Sequence, residues 1–297
     1  MKFRHVIHIF IATLLVVFIA GCASSKVGEK VITVSIPPLK GLVEAIVNND
    51  YKVVALLPSG STPENYSPTP SQLINIEESE FVFFVGTLDF ENTIAQRLAE
   101  RDVNIVNTGR DAELVEGECS HNHKVGSEHN HGVDPHIWLS LVELEKVVGN
   151  IGNTICATHP DSVRYKANFE QLMGRIKAAH EHYLELFEPH RGEAFLIYHP
   201  ALTYFVRDYG LEQISVEQEG KAPTPTTLAK LAVDVDNSKI KHLIYQSEYP
   251  IDVVKPVAEV LGVELLEINP LSSDVLAEVD RIANTLLTPN YGAERVN

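Results

Sequence analysis

The stretch Pro160-Asp-Ser-Val-Arg-Tyr165-Lys-Ala-Asn-Phe169-Glu-Gln-Leu172-Met-Gly-Arg-Ile176-Lys-Ala-Ala179-His-Glu-His-Tyr183-Leu-Glu-Leu-Phe187-Glu-Pro189 decides how the rest of the chain is organised. Tyr165, Phe169, Leu172, Ile176, Ala179, Tyr183 and Phe187 recur at steps of four and three. That period marks one face of an α-helix. Pro160 and Pro189 bracket the pattern, so residues 161–188 are expected to form one continuous amphipathic helix. At about 1.5 Å per residue it would span roughly 42 Å. Such a helix is a stiff connector between two bodies, and it predicts limited closure of one on the other.

Working outward, both flanks alternate short β-branched runs with longer helical patterns. Before the helix, Val31–Ile36, Lys52–Leu57, Phe81–Val85 and Val103–Asn107 read as strands, with helices at Leu39–Val47 and Glu91–Glu100. A further helix is expected at Leu141–Ala157. After it, Glu193–Ile197, Leu211–Ser215, His242–Gln246 and Val263–Ile268 read as strands. Helical patterns follow these at Leu202–Tyr209, Pro225–Asp236, Ile251–Leu261 and Ser273–Leu287. Alternation of this kind implies parallel sheets covered by helices. The fold expected is α/β, two lobes with parallel sheets joined by one long helix. Their bounds are 31–158 for the first lobe, 159–189 for the linking helix and 190–297 for the second.

The start of the chain reads differently. Lys2, Arg4 and His5 precede a run from Ile7 to Ala20 that is apolar except for His8 and Thr13. It is too short to span a bilayer comfortably and has the form of a signal peptide over residues 1–21. Ile19-Ala-Gly-Cys22 resembles a bacterial lipoprotein box, with Cys22 as the lipid acceptor and residues 22–30 as a tether. An uncleaved anchor helix is the lesser alternative. Acylation would hold the mature chain at a membrane surface outside the cytoplasm, on the periplasmic face or the cell surface. Residues 1–21 carry two basic side chains and no acidic one, so their loss takes the formal charge from −16 to −18. That balance argues against a nucleic-acid partner and leaves a cation ligand open. The remaining cysteines, Cys119 and Cys156, could pair outside the cytoplasm. Equally, Cys119 opens a histidine-rich run, and Cys156 sits where a buried inert thiol is ordinary.

The densest chemical signal lies at 119–132, where His121, His123, His129 and His131 form two His-Asn-His pairs. Close imidazoles on a loop chelate borderline ions such as Zn²⁺, Cu²⁺ or Ni²⁺. Ordering a loop costs entropy, so this one is expected to gather metal rather than form the primary site. Two further histidines are better placed for that. His136 stands in Asp134-Pro-His-Ile-Trp-Leu-Ser140, and His199 directly follows the apolar run Phe195-Leu-Ile197. Ligands in α/β sheets bind beyond the carboxyl ends of strands. One histidine per lobe, facing a common cleft, suggests a shared metal.

Residues 31–290 resemble the metal-binding solute receptors of bacterial ABC transporters, the zinc and manganese group known as cluster A-I. The likeness rests on Pro63-Glu-Asn-Tyr-Ser-Pro-Thr-Pro70, Asp134-Pro-His-Ile-Trp-Leu139, Tyr198-His-Pro-Ala-Leu-Thr-Tyr-Phe205 with Asp208-Tyr-Gly-Leu211, and Ile268-Asn-Pro-Leu271. The histidine-rich loop is the mark of the zinc-type members. The resemblance implies a lipid-anchored, monomeric receptor that delivers a metal to a permease in the inner membrane. It makes His136 and His199 ligands. It puts Glu64 where the family has a histidine, and Asn269 where it often has an aspartate. A carboxylate is a legitimate zinc donor but shifts preference toward harder ions such as Mn²⁺. Glu217 and Glu219 either brace a ligand imidazole or form an exposed acidic loop, and the second reading is preferred. Two alternatives stand beside the receptor. Two histidines and a glutamate also make a catalytic zinc pattern, so a zinc-dependent hydrolase is one, although no His-Glu-x-x-His or Gly-x-Ser-x-Gly motif accompanies it. A surface adhesin on the same scaffold is the other.

Overall fold

The computed structural model describes residues 30–116, 132–217 and 222–287. Two four-stranded sheets organise it, and every pairing within them is parallel. In the first, β1 (Val31–Val34), β2 (Lys52–Ala55), β3 (Phe81–Phe84) and β4 (Ile105–Asn107) lie in the order β2-β1-β3-β4. In the second, β5 (Ala194–Ile197), β6 (Glu212–Ser215), β7 (His242–Gln246) and β8 (Glu264–Ile268) repeat that topology as β6-β5-β7-β8. β3 and β7 are buried along their whole length. Such strands must be near-continuously apolar, which is how Phe81-Val-Phe-Phe84 reads.

The first lobe carries α1 (Pro37–Val47), α2 (Pro70–Glu77), α3 (Asp89–Leu98) and α4 (Leu141–Thr158). After α5 (Val163–Phe187) come α6 (Thr203–Tyr209), α7 (Pro225–Ser238), α8 (Ile251–Leu261) and α9 (Val275–Leu286). Helix α2 is absent from the sequence reading, although its start signals are present. Thr69 caps it, Pro70 opens it, and Gln72 closes a capping box back onto the Thr69 N–H.

The connector α5 is 25 residues long, a little shorter than expected. Ser162 caps its start by accepting the Tyr165 N–H, and at Phe187 the chain tightens into a 3-10 turn over Glu188–His190. Tyr165, Leu172, Ile176, Tyr183 and Phe187 are buried, with Phe169 and Ala179 packed at the margin. Large apolar side chains contribute about 1.5–3 kcal/mol each on burial, against tenths of a kcal/mol for typical propensity differences. Packing of this stripe is therefore the main contribution that holds α5 in place.

That stripe belongs to one core running through both lobes. Phe195, Ile197, Ile244 and Ile268 of the second sheet join the same cluster as the first sheet, α4, α5 and α9. The other face of the second sheet, with Leu196, Tyr198, Leu243 and Tyr245, forms a separate cluster with Leu231 and Val235 of α7 and Val254, Val257 and Leu261 of α8. The lobes are also clasped by polar contacts. The Trp138 Nε1–H donates to the Pro270 carbonyl at 2.9 Å, and the Tyr204 hydroxyl donates to the Asp134 carbonyl at 2.7 Å. Arg207 pairs with buried Glu143 at 2.8 Å. Burial would raise the Glu143 pKa, but Lys146, the Glu113 N–H and Arg207 hold it below the usual carboxylate range.

Gly41 of α1 lies against the chain entering α9 so closely that a Cβ would stand 1.7 Å from the Ser273 carbonyl oxygen. Gly174, on the exposed side of α5, has open space around it. Gly41→Ala is therefore expected to destabilise the protein by about 1–3 kcal/mol through backbone overpacking. Gly174→Ala is expected to stabilise it by up to about 1 kcal/mol by helix propensity. Urea unfolding midpoints of the two variants should move in opposite directions.

Candidate metal centre

Each part of the site is set by a short local device. After β2 the chain loops to a 3-10 turn at Pro63–Asn65, with Pro63 buried and Glu64 projecting from it. The Tyr66 hydroxyl and the Gln72 amide both donate to the Leu56 carbonyl, at 2.7 and 2.8 Å, and the Tyr66 ring packs edge-on against Phe90. The Tyr-x-Pro-Thr-Pro run thus closes a loop that presents Glu64. His136 is held by Asp134, whose Oδ1 accepts from both the His136 backbone N–H and its Nδ1, each at 2.8 Å. Thr87 anchors the intervening Pro135 carbonyl at 2.8 Å. His199 follows β5 by two residues, at the carboxyl end of the sheet, where its carbonyl accepts from the Gln246 amide.

These devices bring Glu64, His136 and His199 together. One candidate ligand atom from each lies within 4.8 Å of the others. Glu64 Oε1 is 3.6 Å from His136 Nε2 and 3.7 Å from His199 Nε2. The imidazoles are 5.3 Å apart, nearly perpendicular, and both are buried. Each uses Nδ1 outward, His136 to Asp134 and His199 to Glu217 Oε2 at 2.7 Å. That choice orients Nε2 inward, the usual arrangement for a metal-binding histidine braced by a carboxylate. His199 Nε2 is buried without a hydrogen-bond partner.

The electrostatics match this geometry. Burial would push the His136 pKa down, but Asp134 and then Glu64 raise it to about 10. Burial would push Glu64 up, yet the neighbouring His136 and His199 hold it below the usual carboxylate range. The centre is therefore a place where positive charge is favoured, and a divalent cation can take the place of the imidazolium proton. The cavity between these groups is about 20 Å³, room for one or two small species.

Glu217 corrects the sequence reading. Its side chain is buried, accepts from the His199 ring and from the Tyr249 hydroxyl at 3.0 Å, and is no exposed acid. The cavity lining includes Pro270 and Leu271 but not Asn269, whose backbone N–H is held by Glu278. Glu248 lines the cavity and was absent from the sequence reading. Its signal was its place, two residues beyond the carboxyl end of a buried strand. Burial raises its pKa, and the Glu64 charge adds to that. Glu219, Cys22, Cys119 and the loop histidines His121, His123, His129 and His131 lie outside the described residues.

Two parallel α/β lobes on one connecting helix, with a nitrogen-and-oxygen cluster buried at their junction, define a two-lobed α/β protein with a candidate metal centre. The chain belongs to the family described as "Zinc-uptake complex component A periplasmic", which matches residues 32–285. It is similar to the "Zinc-binding protein AdcA" of Streptococcus pyogenes serotype M3, with 27% identity over 261 residues that cover 82% of this chain and 51% of that protein. The chain thus spans about half the length of that relative. The "High-affinity zinc uptake system protein ZnuA" of Bacillus subtilis is 24% identical over 271 residues, covering 88% of this chain and 84% of the relative. A crystal structure of ZnuA superposes with a TM-score of 0.79 at 25% identity, covering 89% of this chain and all of the other.

Glu217→Ala would leave the His199 Nδ1–H buried without its carboxylate. Loss of such an outer partner typically costs tenfold to a hundredfold in metal affinity. A loss of that size is expected in competition titrations against a chelator, with an unchanged far-ultraviolet circular dichroism spectrum.

Proposed function

We propose that this chain captures a divalent transition metal, zinc before manganese, outside the cytoplasm and delivers it to an ABC-type permease. The observation that carries this reading is the convergence of Glu64, His136 and His199 within 4.8 Å around a cavity sized for an ion. Membership of a zinc-uptake family supports it. Two imidazole nitrogens with a carboxylate suit zinc, and the carboxylate keeps manganese as a weaker competitor. The protein acts as a receptor and not as an enzyme, in keeping with its membership of a zinc-uptake family. Glu64, His136 and His199 are the ligands in this reading, braced by Asp134 and Glu217.

Among the described residues, no helix is long and apolar enough to cross a membrane. Attachment to the membrane is assigned to a lipid on Cys22, after removal of residues 1–21. The histidine-rich loop at 119–132 gathers metal ahead of the primary site. The protein works as a monomer beside its permease in the inner membrane.

Metal-free protein titrated with Zn²⁺ should gain thermal stability, since ligand at a hundred times Kd contributes about 2.7 kcal/mol. Mn²⁺ should stabilise it less at equal concentration. His199→Ala should abolish tight binding, whereas deletion of residues 120–132 should leave it intact. A melting temperature unmoved by either metal would overturn the receptor reading, and equal loss in both variants would move a primary ligand into the loop.

A further inference from the structure

Glu248 is a buried carboxylate with an unmet need. Both of its oxygens are shielded from solvent, and apart from a contact with its own backbone N–H neither has a hydrogen-bond partner among the described residues. It lines the cavity that Glu64, His136 and His199 share. Burying a carboxylate without a partner is unfavourable, so such groups are paired, bound to a metal or held neutral.

Its position in the sheet is equally telling. In the order β6-β5-β7-β8 the chain winds outward from β5 to β6, then returns to the other side at β7. The reversal falls between β5 and β7, and ligands of open α/β sheets bind at that switch point beyond the carboxyl ends of the strands. His199 leaves the end of β5, and Glu248 leaves the end of β7. The two therefore flank the one place in the second sheet that the topology opens to a ligand.

We propose that Glu248 is the fourth metal donor, so that Glu64 and His136 from the first lobe meet His199 and Glu248 from the second. This rests on the receptor reading above and extends it to a residue outside the expected ligand set. The Glu248 oxygens do not belong to the 4.8 Å set, so the side chain turns about its own torsions to reach the ion. A buried carboxylate without a partner gains one in the cation. Tetrahedral zinc also has one position open after Glu64, His136 and His199. Asn269, the other candidate, offers only a neutral amide and does not line the cavity.

The test compares the mature wild-type protein with Glu248→Gln and Asn269→Ala. Zinc affinity is read by competition with a chelator, and coordination by the visible absorption of the Co²⁺ form. Glu248→Gln is expected to weaken zinc at least tenfold and to lower the intensity of the tetrahedral Co²⁺ bands, while the metal-free variant melts no lower than wild type. That combination separates a donor from a structural residue, because loss of a structural residue would lower the melting temperature as well. Asn269→Ala is expected to bind zinc and Co²⁺ as wild type does. Wild-type affinity and spectrum in Glu248→Gln, or a tenfold loss in Asn269→Ala, would overturn the assignment and leave the receptor intact. Failure of the wild-type protein itself to bind zinc would overturn both.

Discussion

A carboxylate and two imidazoles cannot be withdrawn from water together unless each has somewhere to place its charge and its protons. Uncompensated, a buried ion costs several kcal/mol, while a hydrogen bond to a charged group returns about 1.5–3 kcal/mol. The molecule meets this constraint with outer carboxylates. Asp134 takes the Nδ1 of His136, and Glu217 takes the Nδ1 of His199 with Tyr249 behind it. What remains is directed inward: the His199 Nε2, the Glu64 oxygen and the Glu248 carboxylate are left facing one small cavity. The site is thus incomplete in a way that a cation, and little else, completes.

Such a cage works only if the two lobes that supply it stay in register. One face of the second sheet shares its core with the first lobe and α5, so the lobes cannot part without exposing Phe195, Ile197 and the buried stripe of the connector. The segment that carries His136 is clasped directly, by Tyr204 on the Asp134 carbonyl and by Trp138 on the Pro270 carbonyl. A cage built this way would spend little ordering entropy on binding a cation, because its candidate donors are already close.

Residues differed sharply in how readable they were. His136 and His199 announced themselves, since a histidine after a strand end or within an apolar segment has few other uses. Glu64 was legible only through its place before the Tyr-x-Pro-Thr-Pro run, as an isolated glutamate carries no signal. Glu217 was read as exposed because its neighbours are acidic, and its burial depends on the loop after β6 folding back toward the end of β5. Glu248 sits in Gln-Ser-Glu-Tyr-Pro, which looks like a polar turn. Its importance comes from β7 lying beside β5, a pairing between residues some fifty positions apart. Helix α2 shows the opposite case: its capping box was present in Thr69 and Gln72, but eight residues carry too weak a period to stand out.

By itself the sequence determined the class of fold and the long connecting helix, and it singled out the histidine pair. Those depend on local periodicity and on runs of apolar residues, which act over a few neighbouring positions. The tertiary structure decided which acids serve the site. Glu64 and Glu248 line the cavity, Glu217 braces His199 from outside it, and the Asn269 backbone N–H is held by Glu278. Burial and strand order made that selection, because a carboxylate gains its partners from chain segments distant in sequence, and nothing in its immediate neighbours records which segments those will be.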